Sequence, residues 1–302
     1  MYSKVLIPLD GSKTAEKALP YARYLAGKFT VPVELLAVID IAEMAAHMAA
    51  EKARFLDTMI EDGMRNSASY LRLIANTFPG INVTCTVEKA RAEEAIIEKA
   101  AADKDTLITM ATHGRSGLNR FLLGSIAEKV LRGSANPLLL VRAADEGAPA
   151  AEVSFKKVIV PLDGSPLAEG VLPMVADVAK KLDLEVLLFR AYHIPYNAYA
   201  GDDGYYAVNY DDLIAGVRDE AKEYLEKKVA EVKKLGVEKI AFETKEGFAG
   251  DEIIAIARKT PDGLIAMCSH GRSGVRRWVL GSVTETVVRH AGDPVLVVRA
   301  AR

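Results

Sequence analysis

Two stretches of this chain occur twice in the same order, so its fold must be able to use one unit two times. Val5-Leu6-Ile7-Pro8-Leu9-Asp10-Gly11-Ser12 returns as Val158-Ile159-Val160-Pro161-Leu162-Asp163-Gly164-Ser165. His113-Gly114-Arg115-Ser116-Gly117, followed by Leu123-Gly124-Ser125, returns as His270-Gly271-Arg272-Ser273-Gly274, followed by Leu280-Gly281-Ser282. Asp163 follows Asp10 by 153 positions and Gly271 follows Gly114 by 157, so the copies differ by only a few residues of net insertion. Gene duplication accounts for this pattern, and 302 residues suffice for two domains with separate cores. The repeated parts are turn-forming and suited to phosphate, whereas the apolar filler between them has drifted.

Each copy alternates short β-branched runs with longer segments of helical periodicity. In the first, strands are predicted at 4–9, 32–39, 82–87, 106–111 and 137–141, with helical patterns at 13–29, 41–78, 92–102 and 124–132. The second predicts strands at 157–162, 185–191, 239–244, 263–267 and 294–298. Continuous apolar strands joined by helices imply parallel strands buried on both faces and right-handed crossovers. The fold class expected is α/β: two tandem doubly wound, five-stranded, Rossmann-like domains. Residues 145–154 are small and polar with Gly147 and Pro149, which reads as a linker between domains at 1–144 and 155–302.

A net charge of −2 with 26% charged residues disfavours a nucleic-acid or membrane-surface binder. The chain opens directly into a strand-like run and has no apolar stretch long enough to span a bilayer, so a cytoplasmic location is expected. Cys85 and Cys268 fall in apolar segments read as buried strands and are not repeat equivalents; a disulfide or metal pair is not expected.

The copies differ most after the second strand. The first carries Met44, His47, Met48, Met59 and Met64; the second carries Tyr192, Tyr196, Tyr199, Tyr205, Tyr206 and Tyr210. Methionines at helical spacing suggest core filler. The tyrosines suit either a lid or contact surface, or a loop packed on its own domain.

Ligands of open parallel sheets bind at the carboxyl ends of the strands, and the repeated motifs lie there. Gly114 permits a close backbone approach, and Gly124-Ser125 marks a helix start whose unpaired amides and dipole attract an anion. Together they outline a phosphate cradle, with Arg115, Arg120, Arg272 and Arg276 as nearby charge or as plain solvated surface. Nine residues separate Gly114 from Gly124, and nine separate Gly271 from Gly281.

With that spacing, the Pro-x-Asp loops after the first strands and the Pro137–Val141 and Pro294–Val298 runs, the chain resembles the universal stress protein family. Its nucleotide-binding members carry Gly-x2-Gly-x9-Gly followed by Ser or Thr. The resemblance implies adenine-nucleotide binding (ATP, or ADP or AMP, with Mg or Mn as accompanying ion) and a stress-response regulatory role. The adenosine half would meet Pro8, Asp10 and Val38 in one copy and Pro161, Asp163 and Ala191 in the other. The phosphates would meet Gly114, Gly124, Ser125 and Ile126, and Gly271, Gly281, Ser282 and Val283. The first glycine of the pattern is Ala111 in one copy and Cys268 in the other; a side chain there is tolerated unless the backbone needs φ > 0.

Asp10 and Asp163 also suit an Asx-type cap on the following helix, and capping does not exclude ligand contact. His113 and His270 suit loop-holding better than catalysis. There is no Gly-x4-Gly-Lys-Ser/Thr loop and no repeated carboxylate beside the phosphates, so a binding regulator is preferred to a slow ATPase or phosphotransfer enzyme. A nucleotide-independent scaffold is the remaining alternative. The resemblance further implies internal pairing of the two domains through their last strands, with homodimerisation left open.

Overall fold

The computed structural model describes residues 1–41, 55–112, 123–142, 153–193, 210–269 and 280–299. It divides into two units, one comprising Met1–Ser154 with Pro294–Arg299, the other Phe155–Val275 with Leu280–Asp293. The first unit runs β1 (Lys4–Pro8), α1 (Lys13–Glu16), α2 (Leu19–Phe29), β2 (Val33–Ile39), α3 (Leu56–Ala75), β3 (Val83–Lys89), α4 (Ala92–Ala101), β4 (Thr106–Ala111), α5 (Ser125–Gly133) and β5 (Leu138–Val141). The second half follows with β6 (Lys157–Pro161), α6 (Pro166–Glu169), α7 (Leu172–Leu182), β7 (Glu185–Tyr192), α8 (Tyr210–Lys234), β8 (Ile240–Glu246), α9 (Ala249–Arg258), β9 (Gly263–Cys268), α10 (Ser282–His290) and β10 (Val295–Val298).

In the first unit the strand order is β3-β2-β1-β4-β5, every pair parallel. The second has β8-β7-β6-β9, again parallel. This is the doubly wound α/β arrangement, and strand order reverses between the first and fourth strands of each copy. All six residues of β4 and of β9 are buried, as expected for central parallel strands covered by helices on both faces. Within the first unit β10 lies antiparallel to β5, with Val295 opposite Leu140 and Val297 opposite Leu138. Arg299 reinforces that position by donating to the carbonyls of Arg132 and Ser134 at the end of α5, at 3.3 and 2.9 Å.

Three expectations change. The helix expected over 13–29 is broken into α1 and α2. Pro20 lacks an amide proton, and its ring cannot sit above the Glu16 carbonyl, so the first helix stops at Glu16. Pro173 separates α6 from α7 at Glu169 in the same way. Cys85 is exposed rather than buried, because β3 is the last strand of the order and has one uncovered side.

The differing segments are described only in part. Met44, His47, Met48, Tyr196, Tyr199, Tyr205 and Tyr206 lie outside the described residues. Met59 is exposed on α3 and Met64 is half-buried, so these two are not core filler.

Asp293, between α10 and β10, is half-buried, and burial pushes its carboxyl up to about 6 against a hydrogen bond from its own amide. An unfolded aspartate titrates near 4, so between about pH 4 and 6 the folded state holds the extra proton and stability falls as pH rises. Asp293→Asn should flatten that slope and stabilise the protein above pH 6 by roughly 1 kcal/mol, the partial exposure screening the rest. Urea midpoints at pH 4, 5, 6 and 7 measure it; parallel curves for both proteins would refute it.

Candidate functional site

The loop after the first strand is built alike in both units. Gly11 has φ 79° and Gly164 φ 87°, values that a residue with a Cβ adopts only with strain. That turn brings the Ser12 amide onto Asp10 Oδ1 at 2.9 Å, and the Ser165 amide onto Asp163 Oδ1 at 2.9 Å. Each serine then caps the next helix, Ser12 Oγ accepting from the Ala15 amide at 3.1 Å and Ser165 Oγ from the Ala168 amide at 3.2 Å. The Asx-type turn expected for both aspartates is therefore present. The loop is also tied to the second strand: the Leu9 amide donates to the Leu36 carbonyl, and the Leu162 amide to the Phe189 carbonyl, both at 2.8 Å. Pro8 and Val38 are half-buried at these strand ends, as are Pro161 and Ala191.

A tyrosine on the long helix after the second strand, α3 or α8, braces each turn, a feature sequence reasoning missed. Tyr70 donates to Glu16 Oε1 at 3.2 Å, and Tyr224 donates to Glu169 Oε1 at 2.8 Å. Burial and then the neighbouring glutamate push both phenols above their usual range, with Asp10 and Asp163 adding to the effect. Only the recurrence of Glu and Tyr at repeat-equivalent positions could have revealed it. The second unit adds buried Arg190, which pairs with Glu220 at 3.3 Å and lies 4.8 Å over the Tyr224 ring.

The fourth strand delivers the helix start. The Gly124 amide donates to the Thr112 carbonyl at 2.6 Å, and the Gly281 amide to the Ser269 carbonyl at 2.9 Å. The first intrahelical bonds run from Glu128 to the Gly124 carbonyl and from Glu285 to the Gly281 carbonyl. The amides of Ser125, Ile126 and Ala127, and of Ser282, Val283 and Thr284, precede that ladder, and neither helix has a side-chain cap. Ser125 and Ser282 are exposed, with Ile126 and Val283 half-buried beside them. The arrangement fits an anion: three backbone donors, a hydroxyl and the positive end of a helix dipole. Gly124 differs from its expected role in one respect, since its own amide is spent on Thr112. Its φ of −59°, and the −62° of Gly281, are open to any residue.

Ala111 and Cys268 close strands β4 and β9 as buried residues. Among the described residues only Thr30, Asp183 and Asp262 combine a side chain with φ > 0, so neither Ala111 nor Cys268 strains the backbone. Burial pushes the Cys268 thiol up to about 12; a hydrogen bond with the Val171 backbone opposes this, and the charge of Asp163 adds to it. Thr284 Oγ1 donates to the Cys268 carbonyl at 3.0 Å, an extra tie where the first unit has Ala127. Gly114, Gly271, His113, His270, Arg115, Arg120, Arg272 and Arg276 lie outside the described residues. Among the described residues no three His, Cys, Asp or Glu side chains come together as metal ligands. No described helix is long and apolar enough to cross a membrane.

Two α/β units built on parallel strands, each with an Asp turn after strand 1 and an open helix start after strand 4, define a tandem Rossmann-like protein. The chain belongs to the universal stress protein family, whose model matches residues 1–142 and again 154–299. A universal stress protein of Methanocaldococcus jannaschii is 34% identical over 142 residues, 47% of this chain and 83% of its own length. One from Mycolicibacterium smegmatis is 23% identical over 301 residues, 98% of this chain and 96% of its own, so the tandem form recurs. The crystal structure of a universal stress protein from Archaeoglobus fulgidus shares the fold over 100% of both chains, with a TM-score of 0.73 at 22% identity.

The thiols should separate in reactivity. At pH 8 an aromatic disulfide reagent should modify exposed Cys85 at least about 100-fold faster than Cys268, whose thiolate is scarce and covered. One fast thiol in the native protein and two after denaturation is the expected count; equal native rates would contradict the burial of Cys268.

Proposed function

We propose that this chain is a cytosolic regulatory protein of the stress response that binds adenine nucleotide, with one site per unit. The adenosine half meets Pro8, Asp10 and Val38 in the first unit and Pro161, Asp163 and Ala191 in the second. The phosphates meet the amides of Ser125 and Ile126 and of Ser282 and Val283 with the two serine hydroxyls, against the side-chain-free backbone of Gly124 and Gly281, with Gly114 and Gly271 completing each cradle beside Ala111 and Cys268. The observation that carries this reading is the pairing, in both units, of an uncapped helix start with a braced aspartate turn on the strands where the sheet order reverses. The matched glycine spacing and the family membership support it further.

The bound species is ATP, ADP or AMP, and the role is binding rather than dedicated turnover. The antiparallel register of Val295 on Leu140 supports the expectation that the last strands of the two halves pair within the chain. The domain limits 1–144 and 155–302, with a linker at 145–154, are part of the same proposal.

Titration of the purified protein with ATP in the presence of Mg²⁺ or Mn²⁺ should give two sites per chain. Gly124→Val should weaken one of them at least about tenfold by crowding the phosphate approach, and Gly281→Val the other. No nucleotide in acid-quenched protein together with no thermal shift on adding ATP, ADP or AMP would overturn the reading. Loss of ATP over hours with either ion would convert the binder into a slow ATPase.

A further inference from the structure

The ends of the second strand differ between units in a way that bears on the base. Equivalent positions are set by one hydrogen bond: the Ala90 amide donates to the Ile39 carbonyl at 3.3 Å, and the Gly247 amide to the Tyr192 carbonyl at 2.9 Å. The next residue of each strand is thus Asp40 or His193, and the residue that opens the facing helix is Arg91 or Phe248. Arg91 approaches Glu94 at 3.9 Å and is exposed. In the second unit the two positions instead hold rings, with His193 and Phe248 centroids 5.2 Å apart at an interplanar angle of 45°.

Phe248 is 69% exposed, an unusual state for a phenylalanine on an otherwise well-covered unit. Its backbone is held firmly. Gly247 has φ 148°, and any Cβ there would meet Glu252 Oε1 at 2.6 Å, so the turn that presents Phe248 requires glycine. The face is also defined. Arg190 turns toward α8 and the Tyr224 ring, so the alternation of β7 directs Ala191 to the opposite face, where α9 begins. On that face α9 packs against α10 closely enough that a Cβ on Gly250 would meet Thr286 Cγ2 at 2.9 Å. Ala191, the ring pair and the helix bearing Ser282 therefore belong to one layer at the carboxyl ends of the strands.

We infer that His193 and Phe248 form a stacking surface for the purine ring of a nucleotide whose phosphates lie at the start of α10, so the second unit grips the base by its flat face. The first unit, with Asp40 and Arg91, offers polar contacts at the same place. The inference rests on the nucleotide reading and adds to it a base-selective element confined to one site.

Equilibrium titrations of the full chain with ATP and with inorganic tripolyphosphate test it, using the wild type, Phe248→Ala and Phe248→Trp. Phe248 is exposed, so both variants should fold, and matching thermal melts check this. Phe248→Ala should weaken one ATP site roughly 5- to 150-fold, the range for loss of one base–aromatic stack, and leave tripolyphosphate binding unchanged. Phe248→Trp should restore it. An unchanged ATP isotherm in Phe248→Ala, an equal loss for tripolyphosphate, or no rescue by Trp would overturn the stacking role while nucleotide binding stands. A wild type that binds no ATP would remove both readings together.

Discussion

The backbone hydrogen bond from Gly124 to the Thr112 carbonyl, with its counterpart from Gly281 to Ser269, decides what the rest of each site can be. It joins the end of a fully buried strand to the first turn of a helix, across the residues between Thr112 and Leu123 in one unit and between Ser269 and Leu280 in the other. It also aims the helix: with the N-cap amide committed to the strand, the next three amides have no intrahelical partner and point past the strand end. A helix start placed there by chance would be a weak anion site. One anchored to the strand at which the sheet order reverses faces the crevice of the fold.

The aspartate turn applies the same logic on the neighbouring strand. Oδ1 of Asp10 or Asp163 is held by the serine amide two residues on, and the serine hydroxyl is held by the following helix. A glycine with positive φ makes the geometry possible, and a Tyr–Glu hydrogen bond from the long helix keeps the short helix in place. The carboxylate is thus held in one orientation, which would lower the ordering penalty for the ligand proposed to meet it. A lysine joins the glutamate in each unit, Lys13 on Glu16 at 2.8 Å and Lys228 on Glu169 at 2.9 Å, and in the second Arg190 also covers the tyrosine ring.

Much of this was legible in the residues. Apolar runs such as Leu107–Ala111 announce a strand covered on both faces, and the repeat of Asp-Gly-Ser and Leu-Gly-Ser marks the turn and helix start. The misreadings have physical sources. Helical periodicity over 13–29 continues through Pro20, which occupies an apolar position yet ends the preceding turn. Cys85 lies in a strand-like run, but periodicity carries no information on which strand ends at the edge of the sheet. The Tyr70–Glu16 brace joins residues 54 apart in sequence, and neither belongs to a local motif. Arg190, Thr284 and Phe248 escaped because a site read from shared residues is blind to those that only one copy possesses.

Those unshared residues follow a rule set by burial. The end of strand 1 and the helix start after strand 4 are held by neighbours on both sides, so a change there would disturb the turn, the helix anchor and the core together; both copies keep Pro-Leu-Asp-Gly-Ser and Leu-Gly-Ser, while the end of strand 4 varies only between small residues, Ala111-Thr112 and Cys268-Ser269. The end of strand 2 and the start of the helix that follows strand 3 are exposed margins, where Asp40 and Arg91 can stand in one copy and His193 and Phe248 in the other without altering the backbone bond that aligns them. The second copy, with its bulkier Cys268, also has the hydroxyl of Thr284, which fastens the helix start to the Cys268 carbonyl. Divergence after duplication therefore shows at the end of strand 2, while the turn after strand 1 and the helix start are retained. On the nucleotide reading proposed for both units, the two sites would share their anion geometry and differ in what they ask of the rest of the ligand.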